Sequence, residues 1–152
     1  MKMINSIFNT TFETSIRLLL NLYLSNKKHQ TLEELIISDF ITIRSNEFGL
    51  SDSNLHGMND FAFSEFPRRR ELAKEAIKRL VLKKLVEVKA SNGGLKYSIT
   101  DSGVSVCKSF SSDYAKEYKY YSKKTNSFIE NKEEIELLEM ITTKATVALR
   151  EE

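Results

Sequence analysis

The sequence predicts a mainly α fold with one small β-hairpin: a winged helix-turn-helix core followed by a C-terminal helical extension. Three observations predict it. Apolar residues recur at spacings of three and four along five separate segments, the mark of amphipathic helices. Two short alternating runs, LVEVKA and LKYSIT, flank Ser-Asn-Gly-Gly, a hairpin signal. One Pro and five Gly in 152 residues leave long helices uninterrupted.

The first helix is expected from Ser6 to about Leu24, with Phe8, Phe12, Ile16, Leu19, Leu20 and Tyr23 on one face. Leu18, Leu22 and Leu24 widen that face, so burial on more than one side is expected. The polar SNKKHQ breaks the chain. Thr31 and Glu34 then form a capping box for a second helix through about Ile43. Residues 44–65 are rich in Gly, Asn, Asp and Ser and read as a long loop, pinned by Phe48, Leu50, Phe61 and Phe63. Pro67 suits the first turn of a third helix running to about Lys84, where its missing N–H costs nothing. Leu72, Ala73, Ala76, Ile77, Leu80 and Val81 face inward on it; Arg68, Arg70, Lys74, Lys78 and Lys83 face outward. After the hairpin, Asp101 can cap a helix starting near Ser102. Gly103, Cys107, Phe110, Tyr114, Tyr118 and Tyr121 share one stripe of it, which Phe128 extends. A last helix, from about Lys132 to Arg150, carries Ile135, Leu138, Ile141, Ala145 and Leu149. The order helix, helix, helix, hairpin is that of a winged helix over residues 1–103. Residues 104–152 form an extension that packs on the same core or on a partner.

Apolar residues at 41% and charged residues at 29% describe an ordinary globular chain. Its length allows one well-buried core. The net charge of +2 is nearly neutral, so a nucleic-acid partner has to be argued from where the charges cluster. Cys107 is the lone cysteine, which excludes an intrachain disulfide and fits a reducing cytoplasm. The opening MKMINSIFNTTFETSIRLLL, broken by polar residues and Glu13, does not read as a signal peptide. The run LLLNLYL is far short of the roughly 20 residues that span a bilayer. The expectation is a soluble cytoplasmic protein.

Catalysis is not expected. His29 and His56 both lie in polar breaks, with no nucleophile–base–orienting arrangement around them. A lone Cys and two scattered His make no metal site. No phosphate-loop or dinucleotide motif occurs, and Asn92–Gly94 is explained by a tight turn. Neither cofactor nor metal is expected, and Cys107 reads as a small core residue.

Two features could bind partners. Arg68, Arg69, Arg70, Lys74 and Lys78 could meet DNA phosphates, with Lys89 and Lys96 on the wing as a second contact. Against this, Glu71 and Glu75 can pair with the neighbouring bases and leave a merely solvated face. The loop before the helix is also much longer than the 3–4-residue turn of a helix-turn-helix. The second feature is aromatic. Phe110, Tyr114, Tyr118 and Tyr121 form either a core face or a docking face, since tyrosine buries its ring while its hydroxyl keeps a polar partner. Ile135 and Leu138 on the last helix must also bury against something.

Three stretches carry a resemblance: NSIFNTTFETSIRLLLNLYL, RRELAKEAIKRLVLKKLVEV and YSITDSGVSVCKSF. Together they resemble the middle component of ABC-three component (ABC-3C) systems, including the small winged-helix subunit of Lamassu-type antiphage defence complexes. The likeness spans about residues 4–125. Phe12, Glu13, Arg17, Leu18 and Leu19 match its N-terminal pattern; Tyr97, Thr100 and Gly103 match the pattern after the wing. The resemblance implies a kite-like, non-catalytic accessory subunit. Its partners would be an SMC-like ATPase with a coiled coil and a separate, often nuclease-type, effector. It would sit near the ATPase heads and restrain the effector, with DNA contacted only secondarily. A winged-helix transcription regulator, dimerising through the C-terminal helices, is the competing reading.

Overall fold

The computed structural model describes residues 10–53, 55 and 66–150, with backbone alone for 145–150. Among the described residues, six α-helices and one hairpin follow in the order α1 (Thr11–Leu24), α2 (Leu32–Ile43), a 3-10 turn (Ser45–Phe48), α3 (Phe66–Leu82), β1 (Val86–Ser91), β2 (Gly94–Ile99), α4 (Asp101–Ser109), α5 (Asp113–Ile129) and α6 (Glu134–Arg150).

Local chemistry sets most boundaries. Thr10, in extended conformation, accepts from the Glu13 N–H at 3.1 Å and starts α1 at Thr11. The helix thus begins later than its apolar spacing suggested; Ser6 and Phe8 lie outside the described residues. The capping box at α2 forms as its sequence predicts. Glu34 N–H donates to Thr31 Oγ1 at 3.1 Å, and Thr31 N–H donates back to the Glu34 carboxylate at 3.0 Å. In the following loop, Phe48 is buried and Leu50 half-buried, and Gly49 takes a left-handed φ of 73° that ends the 3-10 turn. Phe61 and Phe63 lie outside the described residues.

α3 ends in a Schellman arrangement. Leu85 N–H reaches Leu80 C=O at 3.0 Å and Lys84 N–H reaches Val81 C=O at 3.0 Å. The left-handed residue this motif needs is Lys84, at φ 62°, where glycine is usual. The hairpin pairs Val86↔Ile99, Val88↔Tyr97 and Lys89↔Lys96 in antiparallel register. Gln30, in the α1–α2 connection, adds a bridge on the far side of β2. Gln30 N–H donates to Tyr97 C=O at 3.0 Å and Tyr97 N–H to Gln30 C=O at 2.7 Å.

Two expectations are corrected after the hairpin. The cap is Thr100, not Asp101: Thr100 Oγ1 accepts from Gly103 N–H at 3.1 Å, and Asp101 is the first helical residue. The long helix expected from Ser102 is two helices. Phe110 turns extended at φ −71°, ψ 119°, and Ser112 caps a new start by accepting from Ala115 N–H at 3.1 Å. The apolar stripe carries through this break, and for that reason periodicity alone missed it. Ser111-Ser112-Asp113 was the signal, since Ser and Asp favour caps over helix interiors.

The main core joins α1, α2, α3, the base of the hairpin, α4 and α5 around Leu18, Leu20, Leu35, Ile77, Leu80, Cys107 and Tyr118. A second cluster, Ile37, Phe40, Ile41 and Phe48, receives Leu137 and Ile141 of α6. α5 lies along α1 and α2. Gly103 is the close approach between α4 and the hairpin: a Cβ there would meet Leu85 C=O at 2.3 Å and Ile99 Cγ1 at 2.6 Å.

Candidate interaction surfaces

The near-neutral total conceals strong segregation. Residues 67–100 hold ten Lys and Arg against three Glu, a net of +7 in a chain that nets +2. α3 and the hairpin display most of this charge. Arg68, Lys74, Lys78 and Lys89 are exposed and Lys96 is half-buried. Lys74 is partly occupied by Glu71 at 3.2 Å, one turn away. Arg69 and Arg70 differ from the outward set. Both are half-buried, and Arg70 reaches Glu33 of α2 at 2.5 Å while lying 5.5 Å from the Phe66 ring centroid. Arg70 therefore ties α3 to α2 while its side chain keeps 40% exposure. On the hairpin, Lys89 sits directly opposite Lys96. Neither makes an ion pair among the described residues. Directly opposed like charges weaken a hairpin, so this pair favours an external anion.

The aromatic stripe divides. Tyr118 is fully buried, and its hydroxyl donates to Asp39 Oδ1 at 2.7 Å. It is a core residue, the first of the two readings of the stripe. Burial, and after it the Asp39 charge, drives the Tyr118 phenol well above its ordinary range. Tyr114 is largely buried beside Glu13 and Arg17, and burial raises it too. Phe110 is half-buried against the main core. Tyr121 is half-buried, its hydroxyl 3.2 Å from Ser53 Oγ. On α6, Leu138 packs at the edge of the second cluster. Ile135 points outward at 61% exposure. Tyr120, at 57% exposure, and Leu82, at 81%, are large apolar side chains on the surface that periodicity did not single out. Tyr120 stands next to Tyr121 and carries Lys124 over its ring at 4.7 Å.

Beneath these surfaces lies a buried polar network. Arg17 of α1 is fully buried and donates from Nε to Asp39 Oδ1 and Oδ2 at 3.0 and 3.2 Å. Glu13 lies 3.9 Å from its other side and Thr14 Oγ1 at 3.4 Å. Burial alone would lower the guanidinium pKa, but the Asp39 carboxylate, with Tyr114 and Tyr118 beside it, outweighs that and holds the charge in place. Around this network Asn21 Nδ2 donates to Ser38 Oγ at 3.0 Å, Thr42 Oγ1 meets Thr125 Oγ1 at 2.9 Å, and Asn126 Nδ2 donates to Leu24 C=O at 3.1 Å. These bonds lock α1, α2 and α5 to one another. Glu13 and Arg17 are two of the positions in the N-terminal pattern, and both lie in this buried network.

Comparison with protein-family models then decides the family. Residues 7–151 match the model described as ABC-three component (ABC-3C) system Middle Component 2. The chain belongs to that family. The expectation drawn from the N-terminal and post-wing patterns is met at the level of ABC-3C middle components. The family name makes the Middle Component 2 chain one part of a multi-component system. No curated protein and no solved structure matches it. Among its described residues, no group of three or more His, Cys, Asp and Glu is placed to hold a metal ion. None of its described helices is long and apolar enough to cross a membrane.

Proposed function

We propose that this Middle Component 2 chain is a non-catalytic accessory subunit of a Lamassu-type antiphage complex, bridging an SMC-like ABC ATPase and a nuclease-type effector in the cytoplasm. The observation that carries the reading is the outer face of the extension. Ile135 and Tyr120 stay exposed although the helices bearing them are packed on the core. Exposed anchors on a rigid, core-docked scaffold are what a protein-binding subunit needs. The core supports a winged helix, since the Gln30–Tyr97 bridge supplies the short strand that such folds place between the first two helices. On this reading residues 1–103 are the winged helix and residues 104–152 the extension. Partner contacts fall to Ile135, Leu138, Tyr121 and Tyr120, and backbone contact with double-stranded DNA falls to Arg68, Lys74, Lys78, Lys89 and Lys96.

The test is copurification with the ATPase and effector encoded alongside. Ile135→Glu with Tyr120→Glu should abolish capture while leaving the thermal melt unchanged, because both side chains face solvent. Full capture by that variant, or no capture by the wild type, would remove the bridging role. The competing transcription-regulator reading draws on the basic surface alone. It requires a specific DNA footprint, which binding without sequence preference would eliminate.

A further inference from the structure

We propose that the free edge of β1 pairs with β1 of a second copy of this chain, with a two-fold axis at Val88, making one four-stranded antiparallel sheet. The hydrogen-bond parity of the hairpin exposes this edge. Tyr97 spends both its N–H and its C=O on Gln30, at 2.7 and 3.0 Å, so both point away from β1. Its partner Val88 is therefore the non-bonded member of an antiparallel pair, and its own N–H and C=O point outward. Thr100 N–H to Leu85 C=O, at 3.1 Å, fixes the same parity at the base of the hairpin. Val86, Val88 and Ala90 thus aim their main-chain groups away from β2; Val88 and Ala90 are exposed there, while Val86 is covered at 2% exposure. A groove of about 610 Å³ runs along that edge. Val86 and Val88 from one face of the strand line it together with Glu87 and Lys89 from the other, and Val81, Lys84 and Thr100 complete the lining. Residues of both faces can line one groove only where it follows the edge.

Charge chooses the occupant and the register. Outward groups on residues 86, 88 and 90 must bond to the same set in the second copy. Pairing Val86 with the second copy's Val88 would set Glu87 against Glu87, and pairing Val88 with its Ala90 would set Lys89 against Lys89. Pairing Val88 with Val88 sets Glu87 against Lys89 twice, once on each side of the axis, and Val86 against Ala90. Only this central register neutralises both charges. It also brings a carboxylate beside the Lys89–Lys96 pair, which has no ion-pair partner among the described residues. Val88 at 39% exposure and the exposed Ala90 become covered on the apolar face. Lys96 remains open to other anions. The dimer needs neither the ATPase nor the effector, so its failure and that of the bridging role are separable.

Sedimentation equilibrium on the full-length chain tests this. The wild type should show a concentration-dependent monomer–dimer equilibrium. Glu87→Lys and Lys89→Glu should each raise the dissociation constant by roughly tenfold or more, since each turns two attractive pairs into repulsive ones. The double variant Glu87→Lys/Lys89→Glu should restore it. A second measurement does not depend on affinity. Antiparallel bonded pairs bring Cα atoms to about 5.5 Å, within disulfide reach, so Val88→Cys should form a covalent dimer on mild oxidation. A wild-type chain that stays monomeric, a dimer indifferent to all three charge variants, or Val88→Cys that resists cross-linking would each overturn the proposal.

Discussion

The Tyr118 hydroxyl donates to Asp39 Oδ1 at 2.7 Å, the same oxygen that Arg17 Nε reaches at 3.0 Å. One carboxylate thus joins three helices, α1, α2 and α5, inside the core. Removing it strands a fully buried guanidinium. Asp39→Ala should cost about 3–5 kcal/mol, the range for breaking a buried ion pair. Tyr118→Phe removes only one bond to a charged group and should cost about 1.5–3 kcal/mol. Urea unfolding of both variants checks the order; equal effects would mean that Asp39 does not act as the hub.

Gly103 predicts a second loss. With Leu85 C=O at 2.3 Å and Ile99 Cγ1 at 2.6 Å from the place a Cβ would take, Gly103→Ala must push α4 off the hairpin. A cost of about 1–3 kcal/mol is expected, from overpacking against backbone. Unchanged thermal stability would show that the close approach is not kept in solution.

Lys84 predicts a gain. It holds a left-handed φ of 62° at the end of α3, where a side chain is unfavourable. Lys84→Gly should stabilise the chain by about 0.5–1 kcal/mol, because the strain is relieved while the Schellman bonds remain. A lower melting temperature would contradict this.

Acid sensitivity follows from Glu34. Burial pushes its carboxyl upward, but hydrogen bonds from Lys27 and Thr31 together with the Lys27 charge outweigh that and hold it below its ordinary 4.5. A carboxyl lowered in the folded state adds stability above about pH 4.5, and that stability is lost as pH falls through the lower folded value. Glu34→Gln should flatten the acid limb of the stability–pH curve below pH 4.5 and leave its slope at neutral pH alone. An unaltered acid limb would exclude Glu34 as the source.

Cys107 predicts slow chemistry. Burial pushes its thiol up to about 12, against a small opposing effect of Lys119. The thiolate is the reactive form, so alkylation at pH 8 should be slow in the folded chain and fast in denaturant. Rapid labelling of the native protein would show that the α4 face opens. Slow labelling also leaves an engineered Val88→Cys as the reactive thiol.

Part of this protein was decided by its sequence alone. The Thr31–Glu34 box, the hairpin around Asn92 and Gly93, the inward set on α3 and the order of the elements all rest on contacts within a few residues. Such contacts are set by residue type and spacing, which a sequence displays directly. The tertiary structure decided what depends on distant pairs. It tied Arg70 to Glu33, drew Tyr118 onto Asp39 across 79 residues, and laid Gln30 against Tyr97 so that β1 keeps an open edge. The docking candidates divided for the same reason. A stripe at helical spacing shows that a face will be buried, and only the packing of α5 on α1 and α2 determined that the chain itself buries Tyr118 while leaving Tyr120 and Ile135 outside.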